Sequence, residues 1–240
     1  MGTFGNHQQF NRFIGYEKVE VHGTRLLVSE PSKSKSKFFH ITKRGIDIGV
    51  SSVLIIFLFP ILLLIIGTGI KLTSNGSIFF RQPRTGLKGV EFEILKFRSM
   101  ILNADCNTKS AEKNDSRVTK FGQLLRLTNL DEIPQIINVF KGEMSLVGPR
   151  PYMISETKLY TQRFTNYSER LLVKPGITGL AQMKGHHSGP TNQTKLSERM
   201  SCDLYYVRNQ TLSLDLIILI GTVRNFITNF WITLSSKKKP

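Results

Sequence analysis

With 240 residues and a formal net charge of +16, from 33 Lys and Arg against 17 Asp and Glu, the chain has room for one domain with an appended membrane element but little for two soluble domains. That charge restricts partners to anions: nucleic acid, anionic lipid or a phosphorylated substrate. The two cysteines, Cys106 and Cys202, lie far apart without metal-ligand spacing, which argues against a disulfide framework and predicts a reduced cytoplasmic setting.

Residues 1 to about 40 carry no sustained period and no evident chemistry. Val19, Val21, Leu26, Leu27 and Val28 allow a short hairpin around Gly23, and Ser32 to Lys37 reads as a solvated linker whose lysines can meet anionic headgroups. From Ile48 to Ile70 the chain is uncharged and rich in Ile and Leu, long enough at ~1.5 Å per residue to cross a ~30 Å hydrocarbon core. Pro60 near the middle removes a backbone hydrogen bond and predicts a sharp bend. Basic residues crowd both flanks, with Lys33, Lys35, Lys37, Lys43 and Arg44 before and Lys71, Arg81, Arg84 and Lys88 after, so the asymmetry normal for a spanning helix is missing. From physics alone, a re-entrant hairpin and a bitopic anchor with a tolerated proline stand level. No signal peptide is expected, because the apolar run begins too far in.

Ile78 to Phe80 and Phe92 to Leu95 predict two short strands around a turn at Gly86 to Gly89, a hairpin that carries Arg81, Arg84, Lys96 and Arg98. Asn103 to Lys120 predicts a mobile loop, and Phe121 to Leu127 a short helix with Arg126 near its end.

Asp131 and Glu132 follow, the only adjacent acidic pair in a strongly basic chain. A carboxylate can attack phosphorus to give an acyl phosphate, while a second one binds metal or manages a proton. Mg²⁺ suits such a pair plus substrate phosphates, with Arg126 and Arg150 available as clamps. The same residues also fit a helix start, with Asn129 as cap and Glu132 closing a capping box, although Pro134 sits awkwardly in that register. Ile133, Ile136, Ile137 and Phe140 then predict one buried helical face.

Met144 to Val147 is short and apolar and runs into Gly148-Pro149-Arg150-Pro151, where two prolines pre-order Arg150. Tyr152 to Val173 predicts a helix, with Tyr160, Tyr167 and Arg170 as surface or interface residues. His186-His187 lacks zinc-ligand spacing and reads as loop. From Leu214 to Trp231, apolar residues at 216, 219, 220, 223, 226, 227, 230 and 231 trace one helical face, which suits either the membrane interface or packing on the core.

Several motifs in one order carry a resemblance: Lys96-Phe97-Arg98-Ser99-Met100; Arg126 with Leu130-Asp131-Glu132-Ile133-Pro134-Gln135; Asn138-Val139; Lys141 to Pro151; and Lys174-Pro175-Gly176-Ile177-Thr178-Gly179. From about Lys43 to about Thr222 the chain resembles the bacterial sugar transferases, the monotopic polyprenyl-phosphate phosphoglycosyl transferases. The resemblance implies an α+β, mostly helical fold with a re-entrant N-terminal membrane helix bent at Pro60, a small β-hairpin and interfacial amphipathic helices. It divides the chain into a polar extension and basic linker (1–42), the re-entrant helix (43–72), a catalytic domain on the cytoplasmic face (73–222), and the end of an amphipathic helix with a basic tail (223–240).

The activity it implies is transfer of a sugar-1-phosphate from a UDP-sugar to undecaprenyl phosphate at the bacterial inner membrane, opening exopolysaccharide, capsule or O-antigen assembly. Asp131 would be nucleophile and metal ligand, Glu132 its catalytic support, and Mg²⁺ or Mn²⁺ the cofactor. Arg126 and Arg150, with Lys96 and Arg98 at the rim, would take phosphate or nucleotide. Partners would be the two substrates and membrane lipids, not nucleic acid. His186 departs from the resemblance, standing where the family commonly has arginine. The competing reading is a non-catalytic basic membrane scaffold of polysaccharide assembly.

Overall fold

In a computed structural model, residues 16–21, 24–29, 36–101, 115–186 and 193–236 are described. The linker before Ser36, most of the loop from Asn103, Cys106, His187 and the lysine tail therefore lie outside the described residues.

Strands β1 (Tyr16–Val21) and β2 (Thr24–Ser29) pair antiparallel with Val21 opposite Thr24, matching the hairpin expected around Gly23. The chain then enters a helix from Lys37 to Thr73, long and apolar enough to cross a membrane by length and composition. Its first part, α1 (Lys37–Val53), starts where the Ser36 hydroxyl accepts the Phe39 N–H, a side-chain cap that satisfies one orphan donor. A π-helical turn (Leu54–Leu58) leads to α2 (Phe59–Thr73), with Pro60 in its first turn. Val53, Leu58 and Phe59 all keep right-handed helical angles, so the backbone stays helical through the proline. The wider turn, in which the Phe59 N–H reaches the Leu54 carbonyl, falls just where proline would clash with the preceding turn.

Both arms of this helix pack on the globular body. On α1, Lys43, Asp47 and Ser51 recur every four residues and so form one polar stripe along the helix. The Asp47 carboxylate accepts the Ser145 hydroxyl (3.1 Å) and the Leu146 N–H (2.9 Å), while Arg44 donates to the Val139 and Phe140 carbonyls (2.6 and 2.7 Å). On α2, Ile66 and Ile70 are buried with Phe97 and Leu125. Gly69 allows the Phe121 ring to come close against the helix, since a Cβ there would lie within 2.4 Å of it. Between the arms, Ile56, Phe57, Ile61, Leu64 and Ile65 are exposed.

Strands β3 (Phe79–Thr85) and β4 (Glu91–Phe97) form the predicted antiparallel hairpin, with Phe79 opposite Phe97 and Thr85 opposite Glu91. Phe59 of α2 stacks on both Phe79 and Phe97, at 6.3 and 6.2 Å between ring centres, which fastens the hairpin to the long apolar helix. Helix α3 (Lys120–Leu127), a 3₁₀ turn (Leu130–Glu132), α4 (Gln135–Lys141) and β5 (Ser145–Val147) follow. Then come α5 (Ile154–Arg163), a second 3₁₀ turn (Tyr167–Leu172), β6 (Gly176–Thr178), α6 (Leu180–Met183), α7 (Gln193–Asn209) and α8 (Leu212–Ser236). Strand β6 pairs parallel to β5, closing the loop that contains Gly148-Pro149-Arg150-Pro151. The protein is mostly helical, with its described strands in three two-stranded ladders.

Three local expectations are corrected. The segment Tyr152 to Val173 is not one helix, because Phe164 turns extended and the chain resumes as a 3₁₀ turn. Tyr160, Tyr167 and Arg170 are buried there rather than at the surface. On α4 the inward face is Gln135, Ile136, Asn138 and Val139, with Phe140 exposed, because Asn138 turns inward to bond the Leu95 N–H and the Glu93 carbonyl of β4. On α8 the predicted face stays exposed at Leu216, Ile220, Val223, Ile227 and Trp231, as the interface alternative requires, while Asp215 and Ile218 face the core.

Candidate active site

The acidic pair sits at a break between two helices. Thr119 caps α3 by accepting the Gly122 N–H, and Gly122 lies so close to Ser99 that a Cβ would overlap the Ser99 carbonyl. That close approach lets the Ser99 hydroxyl accept Arg126 Nε at 2.8 Å. Asn129 then adopts a left-handed conformation (φ 55°), which turns the chain into the 3₁₀ turn, and Pro134 with its fixed φ opens α4.

The capping-box alternative is corrected by this geometry. Asn129 makes no side-chain cap, and the Glu132 carboxylate is taken up by other residues. It accepts Lys96 Nζ (2.6 Å) and both terminal nitrogens of Arg150 (3.0 and 2.6 Å), a bidentate pair plus an ammonium. Burial alone would raise the Glu132 carboxyl, but Arg150 and Lys96 outweigh it and hold the group well below the usual carboxylate range. Lys96 is lowered by its own burial, against the pull of Glu132.

Asp131 is buried at 8% exposure, and among the described residues its carboxylate accepts no hydrogen bond. Burial pushes it up to about 6, with Lys96 opposing and the neighbouring Glu132 charge adding. The two carboxylates are thus electrostatically unlike: Glu132 is saturated by cations, whereas Asp131 keeps its oxygens for an incoming group. Arg126 uses Nε on Ser99, and its two terminal nitrogens take no partner among the described residues.

Of the residues singled out from the sequence, Asp131, Glu132, Lys96, Arg126 and Arg150 converge here. Arg98 does not join them: its guanidinium donates to the Ser74 carbonyl (2.8 Å) and to the Asn75 carbonyl, sealing the C-terminus of α2. Pro60 belongs to the first turn of α2, away from the site. Arg81 is exposed beside Glu93, while Arg84 is drawn inward, to Gln82 (2.5 Å) and Glu156 (3.5 Å). Burial and the nearby Arg150 charge bring Arg84 down to about 10.

The described residues hold no cluster of three metal-ligating side chains. An all-protein cage is therefore absent among them, and what the site presents is a single unpaired carboxylate beside basic groups. That donor set fits Mg²⁺ only as an ion shared with substrate phosphates, the mode this hard, hydrated cation prefers.

Two anchors escaped the sequence reading. Asp47 lay just outside the apolar run, although its four-residue spacing from Lys43 and Ser51 marks a polar stripe on a membrane-type helix. Arg170, expected at the surface or an interface, bonds the Arg150 carbonyl at 2.8 Å; no local pattern signals a contact across 20 residues.

Residues 38–229 match the family model described as "Bacterial sugar transferase". The chain is 46% identical over 184 residues to a UDP-glucose:undecaprenyl-phosphate glucose-1-phosphate transferase of Klebsiella pneumoniae, covering 76% of this chain and 39% of that protein. A protein of the same name from Caulobacter vibrioides is 40% identical over 189 residues, covering 78% and 70%. An exopolysaccharide production protein of Rhizobium leguminosarum is 40% identical over 195 residues, covering 78% and 96%. The chain thus spans well under half the length of the Klebsiella relative and most of the other two.

Replacing Glu132 by Gln would keep its shape but leave Lys96 and Arg150 without a counter-charge. Thermal or denaturant unfolding should show a loss of about 3 kcal/mol, since removing one member of a largely buried ion pair strands the other. The double variant Glu132→Gln with Lys96→Met should recover part of it.

Proposed function

The chain belongs to the bacterial sugar transferase family, and on that premise we propose that it transfers a sugar-1-phosphate from a UDP-sugar to undecaprenyl phosphate through a covalent intermediate on Asp131. The observation that carries this reading is the division of labour in the acidic pair: Glu132 is locked by Lys96 and Arg150, and Asp131 is unpaired. A carboxylate that accepts no hydrogen bond keeps its lone pairs for attack.

In the first step an Asp131 oxygen attacks the phosphorus that bears the sugar. The bond to the UMP oxygen breaks, UMP leaves with that electron pair, and an aspartyl sugar phosphate remains. In the second, an oxygen of undecaprenyl phosphate attacks the same phosphorus, the acyl–oxygen–phosphorus link breaks, and the Asp131 carboxylate is restored. Each step is an in-line transfer whose charge spreads over phosphate oxygens, so positioning and cationic groups supply most of the catalysis. Arg126, with free terminal nitrogens, suits the leaving phosphate. Arg150 keeps Glu132 ionised beside Asp131 and leaves its outer edge for a diphosphate. Mg²⁺, held by Asp131 and the diphosphate, would neutralise charge on the donor.

The same reading makes the Lys37–Thr73 helix re-entrant, entering and leaving one leaflet on the cytoplasmic side. What supports it is that both arms pack on the one globular body, through Asp47 and Arg44 on one side and Ile66 and Ile70 on the other. The exposed apolar residues between them would enter the hydrocarbon, with the exposed face of α8 beside the interface. A lipid phosphate and a water-soluble nucleotide sugar could then both reach Asp131.

Asp131→Asn, purified in detergent or nanodiscs, should release UMP from UDP-glucose and undecaprenyl phosphate at least about 10³-fold more slowly than the parent, as loss of a covalent nucleophile does. Turnover within tenfold of the parent would remove the nucleophile assignment. For topology, single cysteines placed at Ser36 and Ser77 in a background lacking Cys106 and Cys202 should both react with a membrane-impermeant thiol reagent from the cytoplasmic side. Labelling from opposite sides would exclude the re-entrant helix.

A further inference from the structure

The loop Gly148-Pro149-Arg150-Pro151 carries the guanidinium that seats Glu132, yet its two prolines remove two of its own backbone donors. Its carbonyls are held from outside instead. Pro149 accepts the Gly176 N–H (3.0 Å), Pro151 accepts Arg84 (3.4 Å), and Val147 just before the loop accepts Lys43 and Tyr206 (both 3.1 Å). The carbonyl of Arg150 itself accepts Arg170 Nη2 at 2.8 Å.

Arg170 lies on the second 3₁₀ turn and is 4% exposed. Its Nε donates to Asp203 of α7 at 3.0 Å, and its guanidinium lies 4.4 Å from the Tyr152 ring centre and 5.2 Å from that of Tyr167. The ion pair is 3% and 1% exposed at its two side chains. A pair buried so deeply is a poor source of stability, because desolvating two charges offsets their attraction, and apolar residues of similar volume could fill the space. What an apolar pair could not do is donate to the Arg150 carbonyl.

We propose that Arg170, held by Asp203, is a positioning residue: its bond to the Arg150 carbonyl sets the direction in which the Arg150 side chain leaves the loop and so seats it on Glu132. Asp203 fixes the guanidinium from behind, and the two tyrosine rings fix its plane. The contacts run from Asp203 through Arg170 and the Arg150 backbone to the Arg150 guanidinium, Glu132 and the adjoining Asp131. Arg170 touches no reacting atom. Its kinetic readout rests on the phosphoglycosyl transfer proposed above.

The test uses the full chain in nanodiscs. Arg170→Lys should lower kcat for UMP release about tenfold or more, with KM for the UDP-sugar changed less than about threefold, since a displacement near 1 Å in a positioned group can cost a hundredfold in rate. The paired replacement Arg170→Met with Asp203→Leu should regain the parent's melting temperature but not its kcat. In an Arg150→Lys background, adding Arg170→Lys should cost less than about twofold more, because the two act as one unit. Recovery of kcat by the apolar pair, or effects that multiply in the double variant, would overturn the proposal. Hydrogen exchange reads it without activity: segment 148–153 should exchange faster in the apolar pair even at full thermal stability, and unchanged exchange would count against it. If the parent releases no UMP from any UDP-sugar, the phosphoglycosyl reading falls and the exchange measurement alone decides the positioning role.

Discussion

The Glu132 carboxylate is the contact on which the rest of the site depends. Lys96 comes from β4, Glu132 from the 3₁₀ turn and Arg150 from the proline-bounded loop, so one half-buried side chain ties together three segments distant in sequence. Two adjacent carboxylates in a low-dielectric setting cannot both stay ionised without help. Here the direct contacts of Lys96 and Arg150 both go to Glu132, and Asp131 feels those cations and Arg126 only at a distance. Glu132 remains ionised while Asp131 is desolvated and without hydrogen bonds among the described residues, and its carboxyl is pushed up to about 6. The strong positive balance of the chain therefore has a local expression: cations hold the neighbour of the proposed nucleophile and leave the nucleophile open.

The long apolar helix belongs to the same construction. Its polar stripe of Lys43, Asp47 and Ser51 would be costly in lipid, and each polar group is met by the globular body or the helix backbone instead. Asp47 bonds the start of β5, and Lys43 bonds its last carbonyl together with Tyr206 and Asp215. Since β5 runs directly into the Arg150 loop, the helix that would sit in the membrane also supports the loop that seats Glu132. Aromatic stacking of Phe59 on the β3–β4 hairpin supplies a second tie, toward Lys96. The packing of the apolar helix and the geometry of the acidic pair are thus set by overlapping contacts.

Much of this was legible in the sequence where the signal is local. The β3–β4 hairpin follows from two β-rich runs around glycines, the apolar helix from its uncharged length, and the site from a single acidic pair followed by a fixed turn. What was not legible depends on contacts between distant segments. Whether Glu132 caps a helix or pairs with Lys96 and Arg150 is decided by where β4 and the loop come to lie, and Asn129 entering the left-handed region settles it against the cap. Arg98 looked like a rim cation because it shares a motif with Lys96, but it lies two residues on, across the end of the strand, and serves the end of α2. Arg170 looked like surface because a lone arginine in an amphipathic stretch usually is; only the fold brings Asp203 and two tyrosines around it.

The central claim is that Asp131 carries the sugar phosphate between donor and acceptor. It is tested most directly by mixing the protein with UDP-glucose in the absence of undecaprenyl phosphate, quenching in acid, and mapping the adduct by peptide mass spectrometry. The account predicts one equivalent of hexose phosphate on the peptide containing Asp131, discharged when undecaprenyl phosphate is added before the quench. An adduct on another residue, or UMP formation that strictly requires the lipid acceptor with no adduct at any time, would contradict it.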